Sequence, residues 1–397
     1  MIRMKTITEA FISQFGGSSE EVRVFFAPGR VNLIGEHIDY NGGHVLPCAL
    51  EIGTYLAVRK RSDSKLLFYS KNFQDKGVIE ADLSTLVNDP AHSWANYPKG
   101  VISFLSDRIG SEGYEFYFCG NIPNGAGLSS SASIELVTAV CLNEMNGIGL
   151  SNMELVKLSQ QVENQFIGVN CGIMDQFAVG FGEADQAVLL NCETLEYRYV
   201  PLNLPNHSIV IANTNKQRGL ADSAYNERRA VCESALEKIK TEFPIQELCH
   251  LNEGQLPQAE RLLNDEEKQR VRHVVTENER TLKAVEVLEQ DDLFAFGDLM
   301  KTSHVSLRDD YEVSCHELDV MVEAAWRQKG VVGARMTGAG FGGCTVNIVE
   351  DQHVESFKAN VKEEYTAKTG LVPDFYTVKV GRGTRELTGE EVTQLQL

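Results

Sequence analysis

At 397 residues, with 43% hydrophobic and 23% charged residues, the chain has a globular composition and enough length for two domains rather than one core. Its net charge of −19 argues against nucleic acid and anionic lipid as partners, and an anionic ligand would need a locally positive pocket. No apolar run approaches the roughly 20 residues that cross a bilayer, and nine cysteines, odd in number and without a C-x-x-C pair, read as free thiols of a reducing, cytoplasmic compartment with no zinc site.

Thr6-Ile7-Thr8-Glu9 fits a capping box, and Ala10, Phe11, Ile12 and Phe15 follow at helical spacing. The chain therefore opens on a helix of the fold and not on a signal peptide. Short apolar runs at 22–27, 66–70 and 115–119, bounded by Gly, Pro or Asn, read as strands. The first is expected to end at Pro28. After it, Arg30, Glu36, His37 and Asp39 crowd into a turn bounded by Gly29, Gly35, Gly42 and Gly43. Carboxylates there are natural acceptors for buried sugar hydroxyls. A solvated polar turn is the plainer alternative, but an arginine and two acids amid Leu33 and Ile34 favour a semi-buried site. His37 taken alone reads as structural.

Pro123-Asn124-Gly125-Ala126-Gly127-Leu128-Ser129-Ser130-Ser131-Ala132 joins a strand to an apolar helix carrying Ile134, Leu136, Val137 and Val140. Glycines admit a ligand close to the backbone, the helix start offers unpaired N–H groups, and serines add hydroxyls. That is a phosphate cradle without the usual lysine, or else a Gly/Ser loop with a helix cap. No G-x-x-x-x-G-K-[ST], D-F-G or H-R-D sequence occurs, which excludes Walker-type NTPases and protein kinases.

Ser151, with Glu154 three residues on, opens a helix bearing Leu155, Leu158 and Val162 on one face. Glu163, near its end, is placed to aim at a metal on the phosphate loop. In Cys171-Gly172-Ile173-Met174-Asp175-Gln176-Phe177, an acid among apolar neighbours is costly to bury without a cation or a chemical role. Either acid alone could be structural. Residues 185–210 alternate like strands, and 219–330 are almost wholly helical. Residues 338–343 satisfy G-x-G-x-x-G, yet the strand-like 344–349 follows where a dinucleotide fold needs a helix, so that fold is rejected. The reading is α+β, in two lobes at 1–203 and 204–397 with a ligand cleft between them.

In this order and spacing, residues 29–43, 123–132 and 338–343 resemble the galactokinases of the GHMP kinase superfamily. The likeness runs across essentially the whole chain, including Asn213-Thr214-Asn215-Lys216 and Tyr225-Asn226-Glu227-Arg228-Arg229. It implies a two-domain GHMP kinase fold: an N-terminal phosphate-loop lobe with a left-handed β-α-β crossover and a C-terminal α/β lobe. It implies Asp175 as proton acceptor beside Arg30 as transition-state stabiliser, though the arginine would also make Asp175 a weaker base that mainly orients the hydroxyl, and a sugar pocket of Glu36, His37, Ile38, Asp39, Gly172 and Tyr225. It implies ATP on Gly125, Ala126, Gly127, Leu128, Ser129, Ser130 and Ser131, with Ser70 and Trp94 also at the nucleotide, and magnesium on Ser131 and Glu163. The implied reaction is ATP-dependent phosphorylation of galactose at C1, the first step of its catabolism, with galactose and ATP as partners and no obligate protein partner. Phosphoryl transfer needs mainly positioning and charge stabilisation, which such a set supplies. A kinase for N-acetylgalactosamine and a non-catalytic sensor of galactose and ATP are the alternatives. The intact Arg30, Ser130, Ser131, Ala132 and Asp175 weigh against the sensor.

Overall fold

The structure, a computed structural model, describes residues 6–123, 126–216 and 221–395. Helix α1 (Ile7–Phe15) starts at the capping box read from the sequence: the Thr6 hydroxyl accepts from the Glu9 N–H while the Glu9 carboxylate accepts from the Thr6 N–H. Its buried Ile7 and Phe11 pack on Val24, Ala57 and Tyr117, covering one face of the first sheet.

Strand β1 (Arg23–Asn32) corrects the expected end at Pro28. The chain keeps pairing through Asn32, with a register shift between Pro28 and Arg30 that leaves Gly29 unpaired. The cause lies across the cleft, where the Arg30 N–H donates to the Leu128 carbonyl at 3.1 Å and a Cβ on Gly29 would come within 2.9 Å of that oxygen. The irregularity sets three residues of β3, Leu50, Glu51 and Ile52, against the single Gly29, and Arg30 resumes pairing at Ala49 on the strand instead of lying in a turn.

The first half continues with β2 (His44–Val45), β3 (Pro47–Lys60), β4 (Lys65–Ser70), β5 (Ile79–Asp82), α2 (Asn96–Leu105), β6 (Tyr114–Gly120), α3 (Ser130–Asn146), α4 (Asn152–Gln161), α5 (Met174–Phe181), β7 (Gln186–Asn191) and β8 (Tyr197–Pro201). The second half holds β9 (His207–Asn213), α6 (Ala221–Ile239), α7 (Leu256–Ala259), α8 (Asp265–Leu288), α9 (Leu293–Asp309), α10 (His316–Trp326), β10 (Val331–Thr337), β11 (Cys344–Glu350), α11 (Val354–Thr369), β12 (Asp374–Val378) and β13 (Arg385–Glu386).

One sheet of six strands runs β13-β1-β3-β6-β4-β5, a second of three runs β2-β7-β8, and a third of four runs β10-β11-β9-β12. Only the β4–β6 pair is parallel among the described strands, bridged by β5 and α2. Helix α3 packs on β1 and β3, and α9 and α10 pack on β10. The division at 203/204 falls between β8 and β9, while β13 returns to pair with β1. The glycine run at 338–343 leads into the strand β11, so no dinucleotide-binding turn forms there. Among the described residues no helix is long and apolar enough to cross a membrane.

Candidate active site

The bent end of β1, the start of α3 and the loop into α5 meet at a cleft of about 640 Å³. At its centre Arg30, 4% exposed, forms a two-pronged pair with Asp175: Nε donates to Oδ1 and Nη2 to Oδ2, both at 2.9 Å. Arg30 Nη1 donates to the Gly127 carbonyl at 2.8 Å, which fastens the strand to the glycine loop. Ser129 takes left-handed backbone angles (φ 60°, ψ 46°), so its hydroxyl turns back and donates to Asp175 Oδ2 at 2.6 Å. Asp175 sits in the first turn of α5, where the helix dipole favours an anion.

The turn after β1 forms one wall. Glu36, 1% exposed, has Oε1 held by the Gly338 N–H at 2.7 Å and the Thr337 hydroxyl at 3.1 Å. The buried Arg335 guanidinium stands 3.4 Å from the same oxygen. His37 Nε2 lies 3.1 Å from the Ala339 carbonyl, which only accepts, so Nε2 carries the hydrogen and Nδ1 accepts from Tyr40 at 2.8 Å. The Tyr40 oxygen then accepts from the Tyr311 hydroxyl at 2.9 Å. Burial pushes His37 down to about 3, with the neighbouring His273 adding to the shift, so the ring is neutral and both nitrogens are engaged. Its ring face stands beside Tyr225 at 5.6 Å between centroids.

Asp39 closes against Gly172, where an added Cβ would come 1.9 Å from Asp39 Oδ2; only glycine lets that carboxylate lie along the loop. Burial, then the charges of Asp175 and Glu36, push Asp39 up to about 7.

Glu163 occupies a π-helical turn (Val162–Ile167) that continues α4, a widened geometry frequent at functional sites. Gln176 Nε2 donates to Glu163 Oε2 at 2.6 Å, and burial with the nearby Asp175 raises the Glu163 carboxyl to about 7. Behind it Glu135 is fully buried beside Gln176, and burial, with the charge of Glu163, holds it well above the usual carboxylate range. Three carboxyl groups, Glu135, Glu163 and Asp175, thus crowd this part of the cleft around the single Arg30 guanidinium. Ser131 lines the same part of the cleft.

The cleft brings together Arg30, Glu36, His37, Asp39, Gly127, Ser129, Ser130, Ser131, Glu163, Gly172, Asp175 and Tyr225. Other residues on the expected list stand off it. Ile38 is fully buried in the core behind Asp39. Ala126 and Leu128 are buried and contribute backbone, the Leu128 carbonyl receiving Arg30 N–H. Ser70 caps the turn after β4, accepting from the Asn72 N–H at 3.2 Å. Trp94 packs between Phe73 and Phe118. Gly125 lies outside the described residues. The run at 213–216 carried the resemblance but was given no role, yet Asn213, Asn215 and Lys216, which reaches Glu317 at 2.7 Å, line the cleft wall with Tyr97. Glu135 was missed, and Gln176, though inside the run quoted around Asp175, was given no role.

Comparison with known proteins follows the same lines. The GHMP kinases N terminal domain matches residues 96–183 and the GHMP kinases C terminal matches 284–367. A mevalonate kinase of Methanococcus jannaschii, 17% identical, superposes with a TM-score of 0.66 over 90% of this chain and 98% of that one, and shows the shared fold. The architecture is that of a GHMP kinase.

Within that class, the galactokinase galactose-binding signature matches residues 9–60. The chain is 57% identical over 370 residues to a galactokinase of Fusobacterium nucleatum (92% of this chain, 95% of the relative) and 51% identical over 390 residues to one of Clostridium beijerinckii (98% and 100%). The structure of a Lactococcus lactis galactokinase in complex with galactose, 44% identical, aligns with a TM-score of 0.93 over 96% of this chain and 99% of that one. The chain belongs to the galactokinase family.

Proposed function

We propose that the protein transfers the γ-phosphate of ATP to the C1 hydroxyl of α-D-galactose, giving α-D-galactose 1-phosphate and ADP. The observation that carries this reading is the Arg30–Asp175 pair, set between the serine-rich start of α3 and the wall of Glu36 and Asp39. Asp175 already accepts three donors, two from Arg30 and one from Ser129. About one further acceptor position remains on a carboxylate, and it takes the sugar hydroxyl, orienting it and receiving its proton as the bond to phosphorus forms. Arg30 uses three of its N–H groups on Asp175 and Gly127 and keeps two for charge on the transferred phosphoryl group. Gly127 and Ser129 to Ser131, at the positive end of α3, receive the other phosphates.

Magnesium would be held by Ser131 and Glu163, a hard-oxygen pair to which phosphate oxygens and water add. Bound there, it would neutralise phosphate charge. The same ion would compensate the crowded acids Glu163, Asp175 and Glu135. All nine cysteines are free, which supports a reducing, cytoplasmic setting.

The test is ADP release with ATP and magnesium over galactose, glucose and N-acetylgalactosamine. Turnover should be strongest on galactose, and Asp175→Asn should lower kcat by about 10²–10⁴-fold. Near wild-type turnover in that variant, or silence on every sugar with galactose still bound, would sink the reading.

A further inference from the structure

We propose that Glu277, far along the chain on α8, is a positioning residue for sugar recognition whose carboxylate shapes the turn carrying Glu36, His37 and Asp39. The inference rests on reading that turn as the sugar-binding wall.

Two successive backbone N–H groups of the turn converge on one oxygen of this side chain. Gly35 N donates to Glu277 Oε1 at 3.0 Å and Glu36 N at 3.3 Å. Successive N–H groups that point inward make a natural anion nest. The nest needs the left-handed backbone of Gly35 (φ +98°), where a Cβ would lie 2.7 Å from the His44 carbonyl. The Ser303 hydroxyl donates to the same oxygen at 2.6 Å, and Arg280 Nε donates to Oε2 at 2.8 Å.

The same helix grips the turn at two more points. His273 Nε2 meets the Glu36 carbonyl at 3.0 Å, and Asn278 Oδ1 accepts from the His44 N–H at 2.9 Å. Both ends of the turn are therefore fixed from α8, while the Glu36 side chain is fixed from Thr337 and Gly338.

A buried ion pair is a poor way to gain stability, since well-packed apolar residues do as well or better. What a carboxylate supplies that a leucine cannot is a fixed direction for two N–H groups. The peptide they belong to sets where the Glu36 carboxylate and the Asp39 carboxylate face the ligand. Loss of that anion should reach the sugar before it reaches the nucleotide.

The experiment is steady-state kinetics of the full chain with galactose and ATP varied separately, in the wild type, Glu277→Gln and Ser303→Ala. In Glu277→Gln the amide cannot accept from both the turn and Arg280. Its galactose KM should rise by about tenfold or more, the loss of a charge-assisted hydrogen bond, while ATP KM and kcat at saturating galactose stay within about threefold. Ser303→Ala leaves both turn N–H groups in place and should raise galactose KM by only about two- to threefold. A folded Glu277→Gln with wild-type galactose KM overturns the inference, as does a loss shared equally by galactose KM, ATP KM and kcat. Should Glu277→Gln fail to give a cooperative melt, Ser303→Ala decides: a galactose KM raised about two- to threefold beside unmoved ATP KM and kcat supports the inference, and a galactose KM equal to that of the wild type overturns it. A wild type inactive on galactose refutes the functional reading itself and is seen before any variant is compared.

Discussion

Arg30 joins three parts of the site through one planar group, and its replacement separates two roles. Arg30→Ala should lower kcat by about 10²–10³-fold, the range for loss of a charge-stabilising donor. Arg30→Lys should recover little of it, because a point charge cannot make the two-pronged pair with Asp175 and also reach Gly127. ADP release checks both, and full recovery with lysine would show that charge alone suffices. Gly172→Ala makes a different prediction. The new methyl meets the tip of Asp39, a movable atom, so melting temperature should hold while galactose KM rises by about tenfold or more. An unchanged KM would remove Asp39 from the sugar contacts. At this scale the sequence was informative where chemistry is local: Arg30, Glu36, Asp39 and Asp175 stand in glycine-bounded runs that no ordinary loop needs. It was silent on Glu277, His273 and Glu135. Each is a polar residue within a helical pattern, where a charged position ordinarily marks the solvated face, and only packing reveals that these three are buried.

Elements position these residues by small departures from regularity. The irregular β1–β3 register and the π-helical turn after α4 each interrupt a regular ladder, and each holds or borders a site residue, Arg30 and Glu163. Neither departure has a sequence mark as plain as a proline in mid-helix, which is why the strand was expected to stop at Pro28. Helix starts were more legible. Thr6 and Ser151 form the capping boxes that their Glu partners announce. Ser151 caps the helix that leads to Glu163, with its hydroxyl 2.6 Å from Glu154. Ser151→Ala should cost about 1 kcal/mol of stability, read as a lower thermal midpoint with kcat unchanged. A larger fall in kcat than in stability would mean that the cap also orients the π-helical turn.

For the whole molecule, the crowding of acids makes stability depend on pH and on ligand. Asp39 and Glu163 are both pushed up to about 7, chiefly by burial. An acid whose folded value lies above its unfolded value takes up a proton on folding. Its contribution is complete below the unfolded value, about 4, and is lost as pH rises through about 7. The ligand-free protein should therefore melt at lower temperature at about pH 8 than at about pH 5, and Asp39→Asn and Glu163→Gln should each flatten the slope. Magnesium with nucleotide should restore more stability at the higher pH, where Glu163 is ionised and able to bind it. Glu277 acts in the opposite sense. Burial alone would raise it, but Arg280 and its other neighbours bring it down to about 2, so its contribution disappears as pH falls from about 4 toward 2. A melting profile that rises steadily from acid to alkaline pH would contradict the assignment of Asp39 and Glu163.

The return of β13 to β1 also governs the order in which the protein can be assembled. Arg23 of β1 and Glu386 of β13, joined by two short hydrogen bonds, are 363 residues apart. During synthesis the outer edge of β1 must wait for those 363 residues to emerge before its partner arrives. Until then an open strand edge beside Phe25 and Phe26 is available to other chains, the condition under which nascent proteins aggregate or recruit chaperones. The sheet that bears Arg30 is begun with β1 and sealed only when β13 follows, 363 residues after Arg23.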